Sequence, residues 1–235
     1  MDSQTRHALK QDKFVQTTQS SVSWVGEHRS SVIRLSIVVV VLLGLAIAGL
    51  VFYNQRSQAA ESALGSALDI YSAPLAQPGA PAVKGVFSTT ADRAKAANQL
   101  FAQAASQYGW LSQGAKAHYF AGLTYQEMGQ TASAETELKA AGDSWDSNLS
   151  SLAKFALAGL YHQTNRDAQA IDTYNGLIAK PTGAVPAYTS QLALADLYSS
   201  TGKTEQAKQI WAKVKDADKT GSAGSIAAEK LNAKK

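Results

Sequence analysis

The chain has 235 residues, a net charge of +4 and no cysteine, which excludes disulfides, thiol catalysis, cysteine-based zinc sites and a lipid carried on cysteine. Beyond Arg56 it holds 16 basic and 15 acidic residues, too even a balance for the basic footprint of a nucleic-acid binder. The absence of thiols suits an oxidising compartment.

The first 34 residues carry Arg6, Lys10, Lys13, Arg29 and Arg34 against Asp2, Asp12 and Glu27. Leu9, Phe14, Val15, Val22, Trp24 and Val25 are scattered there among polar residues. Two readings stand side by side: a helix lying on the membrane face with Trp24 at headgroup level, or a polar tail without fixed structure.

Leu35–Tyr53 is a run of 19 residues without an acid or a base, bracketed by Arg34 and Arg56. As a helix it covers about 28 Å, close to the hydrocarbon thickness of a bilayer. The basic residues that precede it predict a cytoplasmic N-terminus and an exported C-terminal domain. A cleaved signal peptide is the competing reading, and Ala46-Ile47-Ala48 mimics a cleavage site. The run is longer than a signal core, however, and Leu50, Val51, Phe52 and Tyr53 follow that site. Gly44 and Ala48 form a small-xxx-small pair that can seat another helix. The expected organisation is a cytoplasmic tail (1–34), a transmembrane helix (35–55) and an exported domain (56–235).

The domain reads as all-α, and it repeats. Three stretches align on a tyrosine: AGLTYQEMGQTASAETELKAA, LAGLYHQTNRDAQAIDTYNGL and LADLYSSTGKTEQAKQIWAKV. Tyr125, Tyr161 and Tyr198 are 36 and 37 residues apart. Gly122, Ala158 and Ala195 precede them by three positions, and Gly129, Asn165 and Gly202 follow by four. Ala134, Ala170 and Ala207 come next, then Leu138, Tyr174 and Trp211. Small residues allow close helix approach, Gly or Asn ends a helix in the left-handed conformation, and the bulky residue plugs the space between pairs. This pattern resembles the tetratricopeptide repeat, a helix–turn–helix stacked into an α-solenoid. It departs from the usual pattern by two or three extra residues per inter-repeat turn, and only Pro181 lies near the place of the usual closing proline.

An earlier pair is expected from Ser57–Ser72, continuing from the span, and from a helix carrying Ala97, Phe101 and Ala104. The loop between them holds Pro74, Pro78 and Pro81 and is read as disordered rather than functional. SAGSIAAEKLNAKK, with Ile226 and Leu231 on one side, is expected to cap the last apolar face.

No metalloprotease, zinc-ribbon, phosphate-loop or nucleophile-elbow motif occurs. His118 and His162 fall on different units with no carboxylate at ligand spacing, so they read as surface or groove histidines. Glu135, Glu137, Asp143 and Asp146 read as a solvated outer face. Asn148-Leu149-Ser150 is a glycosylation sequon expected on a turn. The chain is expected to be no enzyme and to need no cofactor or metal.

First helices of such repeats line the usual binding face. Here they carry Lys116, Tyr119, Leu123 and Gln126, then Leu152, Phe155 and His162, then Leu192, Asp196 and Ser199. Tyr119, Phe155 and Leu192 share a column, an apolar and partly aromatic strip suited to an extended or partly folded polypeptide. A lone Lys116 sets aside acidic C-termini as ligands. The competing readings are that the cap helix or a neighbouring chain covers the strip, or that the opposite face or the 73–90 loop carries the partner site.

The whole layout, from Trp24 before one span to repeats reaching the end, resembles the bacterial ancillary SecYEG translocon subunit family (YfgM-like). The resemblance implies a single-pass protein of the inner membrane with a periplasmic repeat domain. It also implies partners: the Sec channel, a prolyl-isomerase-like periplasmic chaperone and exported chains, held without catalysis. A generic envelope scaffold, in division or appendage assembly, is the alternative.

Overall fold

The computed structural model of the chain describes residues 29–76 and 85–233. The two readings of the N-terminal tail, Trp24 included, fall on residues 1–28, and the expected loop disorder falls largely on 77–84; both lie outside the described residues. The chain divides into two compact units, residues 1–55 and 56–235. Among the described residues there are nine helices and no strand, only an isolated bridge between Leu75 and Phe87.

The first helix, α1 (Arg29–Tyr71), contains the apolar run. Ile37–Val41 is β-branched throughout, a composition that favours helix poorly in water. In lipid each backbone group must be satisfied within its own segment, which restores the helix. No part of the apolar window is buried, and Leu35 and Leu45 are 66% and 65% exposed. This helix is long and apolar enough to cross a membrane once.

In the second unit, Leu64 and Ala67 of α1 pack against Ala97, Phe101, Ala104 and Ala105 of α2 (Thr90–Tyr108). Thr89 caps α2 by accepting from the Asp92 N–H at 3.0 Å. The loop between the two helices is pinned at both ends: Ala76 donates to Phe87 O, and Arg93 donates to Ala73 O. Tyr71, Phe101 and Phe120 form an aromatic trio, with Phe101 and Phe120 stacked at 5.2 Å.

Three helix pairs follow: α3 (Ser112–Glu127) with α4 (Thr131–Gly142), α5 (Ser147–Gln163) with α6 (Asp167–Ala179), and α7 (Ala187–Ser200) with α8 (Thr204–Ala217). A single helix, α9 (Ser222–Ala233), closes the described chain. From α2 onward each helix packs on the next in chain order. The repeat columns are structural: Ala134, Ala170 and Ala207 are fully buried, as are Leu138 and Trp211, and Tyr174 is nearly so.

The turn column is built alike three times. Gly129, Asn165 and Gly202 adopt φ of 73°, 58° and 79°. The residue after each donates its N–H back to the aligned tyrosine carbonyl: Gln130 to Tyr125, Arg166 to Tyr161, Lys203 to Tyr198, at 2.8–2.9 Å. This is the Schellman ending of a helix. In two units the same residue also lays its charge over that tyrosine ring, Arg166 at 4.6 Å and Lys203 at 5.6 Å.

Two sequence readings change here. The acids Glu135, Glu137 and Asp146 are engaged rather than merely solvated: Glu135 pairs with Arg166 and Lys139, Glu137 with His118, and Asp146 caps α5. The sequon lies in the first turn of α5, with Ser150 buried and donating to Gly142 O at 2.6 Å. Asn148 Oδ1 accepts the Ala184 N–H.

Candidate protein-binding strip on the first helices

The expected strip residues lie on α3, α5 and α7, at spacings of three and four that keep them on one side of each helix. They form a lattice. One column holds Tyr119, Phe155 and Leu192; the next holds Leu123, Gly159 and Asp196; a third holds Gln126, His162 and Ser199. Lys116 and Leu152 head the first two rows.

None of the lattice side chains is fully buried. Tyr119, Leu123 and Phe155 rest their inner faces on one core cluster, with Leu138, Leu157, Tyr161 and Tyr174 beneath. Tyr119 also meets Phe120 edge-on at 5.3 Å. Burial pushes the Tyr119 hydroxyl pKa up, which keeps it a neutral hydrogen-bonding group. Lys116 is exposed at the head of the strip.

The middle of the strip depends on two residues that sequence reasoning did not assign to it. Phe155 meets Tyr174 of α6 edge-on at 5.5 Å. A side chain at Gly159 would come within 4.0 Å only of the Tyr174 hydroxyl. Gly159 therefore lies over the buried Tyr174, whose hydroxyl comes close beneath the strip. Burial, then the charge of Asp196, raises the Tyr174 pKa. The signal available beforehand was a glycine in the column that holds Leu123 and Asp196.

One edge of the strip is polar and linked from unit to unit. Gln126 donates to Gln163 at 2.9 Å. His162 shares one ring nitrogen with Asp167 at 2.6 Å and the other with Ser200 at 3.0 Å. Both histidines thus have a carboxylate, since His118 meets Glu137 at 2.6 Å. The sequence showed no carboxylate at metal-ligand spacing; the acids each histidine meets are single partners, Glu137 brought across the hairpin turn from 19 residues away and Asp167 from five. Among the described residues no group of three metal-ligating side chains forms.

The third unit is different. Lys230 of α9 grips Asp196 at 3.0 Å, and Leu192 packs in a cluster with Ala223 and Leu231 of α9. The cap thus reaches this end of the strip through Lys230, although Asp196 stays exposed.

A separate cavity of about 610 Å³ lies on another side of α5, lined by Ser150, Lys154, Leu157, Tyr161, Leu177 and Lys180. Both of its lysines are exposed. No protein-family model, no curated protein and no solved structure matches the chain.

Proposed function

We propose that the chain is a membrane-anchored helical-repeat protein that binds polypeptide segments and carries out no reaction of its own. The observation that carries this reading is the partly buried set Tyr119, Leu123 and Phe155 on consecutive first helices, beside a polar edge. Apolar faces kept partly open on successive repeats are how solenoids hold extended chains. The repeated Schellman endings, the buried alanine column and the capping α9 support a tetratricopeptide-type solenoid.

By resemblance, the anchor belongs to the bacterial inner membrane, with the N-terminus cytoplasmic and the repeats periplasmic. The partners in this reading are SecYEG, a prolyl-isomerase-like chaperone and exported chains. The anchor then raises the effective concentration of the strip at the channel exit, so weak contacts suffice. A generic envelope scaffold uses the same strip for a different machine.

The cavity beside Lys154 and Lys180 favours a second reading, in which the partner docks there. A photoreactive residue at exposed Lys116 tests the strip, and one at exposed Lys180 tests the cavity. The expected result is crosslinks to translocating chains from position 116 and none from 180. Crosslinks from 180 alone would move the partner to the cavity. Mild-detergent purification of the full-length chain tests the location: recovery of another envelope machine without Sec components would sink the translocon assignment.

A further inference from the structure

We propose that the edge of the repeat domain carrying Trp110 and Trp145 sits in the headgroup layer of the membrane that anchors the chain. This rests on the reading of α1 as a span.

Four large apolar side chains are exposed among the described residues after residue 56, and the two most exposed are tryptophans: Trp145 at 84% and Trp110 at 59%. Both lie on inter-repeat turns, Trp110 between α2 and α3 and Trp145 between α4 and α5, one repeat apart. They line a single cleft of about 390 Å³ together with Leu111, His118 and Asp143. One exposed apolar residue is ordinary, whereas two tryptophans on one cleft mark a surface that is used.

The chain itself says what covers that surface. Gln113, three residues after Trp110, donates to Ser57 at 3.2 Å and to Glu61. Ala60 is buried with Tyr108 and Leu111 on either side of the same turn. Ser57 is only four residues past Tyr53, the last residue of the apolar run. Along a helix that is a rise of about 6 Å, and even a fully extended chain spans no more than about 14 Å. The headgroup layer on each side of the hydrocarbon is about 5–7 Å thick. The turn bearing Trp110 is thus tethered at the membrane surface, and Trp145 shares its cleft. Indole is the side chain most suited to that layer, with an apolar body for the acyl boundary and an N–H for the headgroups.

Lipid-borne quenching reads this directly. The full-length chain, carrying Trp24→Phe, is reconstituted in phosphatidylcholine vesicles brominated at acyl carbons 6 and 7. The remaining tryptophan, Trp211, is fully buried in the repeat core and serves as the unquenched reference. The quenchable share of emission should fall with Trp110→Phe, fall with Trp145→Phe, and vanish when both are made. A quenchable share unchanged by the double substitution would overturn the proposal. Leu45→Trp in the double-Phe background, with lipid brominated deeper in the chain, checks the span. Quenching there without quenching at 110 and 145 rejects the edge contact alone; no quenching at 45 rejects the span.

Discussion

Single side chains set how closely the helices approach. A Cβ at Gly122 would fall 2.6 Å from Cγ of Leu138, the buried plug of its hairpin. Gly122→Ala should therefore cost about 1–3 kcal/mol, the usual penalty of overpacking, read as a lower urea midpoint. Glu135 is the other sensitive residue. Arg166 first, then Lys139, each 2.7 Å away, hold its carboxyl at about 2 instead of 4.5. A folded-state value below the unfolded one means stability that is complete above about pH 4.5 and lost as the pH falls toward about 2. Glu135→Gln should cost about 1 kcal/mol at neutral pH, the upper end for a partly exposed pair. Denaturation curves of variant and wild type should converge as the pH approaches that lower limit.

At the scale of elements, α9 is the piece whose loss is most informative. It supplies Ala227 to the cluster that buries Ala195, Ala207, Trp211 and Val214, and it holds Asp196 through Lys230. A chain ended after Asp218 should expose Trp211, whose burial alone is worth about 2–3 kcal/mol. The expected result is faster amide exchange in α7 and α8 and concentration-dependent light scattering, with α2 and α3 unaffected. Unchanged exchange in α8 would show that α9 is no cap. The hairpin turns were legible in sequence because their chemistry is local: a left-handed residue four after a tyrosine ends a helix wherever it occurs. The inter-repeat turns were not legible, since contacts between distant residues hold them, such as Asn148 with Ala184 and Ser151 with Thr182. The strip was legible in direction but not in depth. Spacing places Tyr119 and Phe155 on one face, but only packing shows that their inner faces belong to the core.

Within the repeat domain, contacts join mainly neighbouring helices, and successive repeats meet through two unlike kinds of bond. On the buried side lie alanines and large plugs without room to slide. On the exposed side each junction is fastened by polar side-chain contacts open to water: Tyr71 to Glu127, Gln126 to Gln163, His162 to Ser200, Asp196 to Lys230, the middle two on the polar edge of the strip. Exposed links of this kind contribute little and exchange readily with solvent. A stack made this way behaves as a leaf spring clamped along one margin. Its stiff margin is the greasy one and its yielding margin borders the strip, so under the proposed binding role a thicker segment is taken in by parting those clasps in turn while the spine keeps its length.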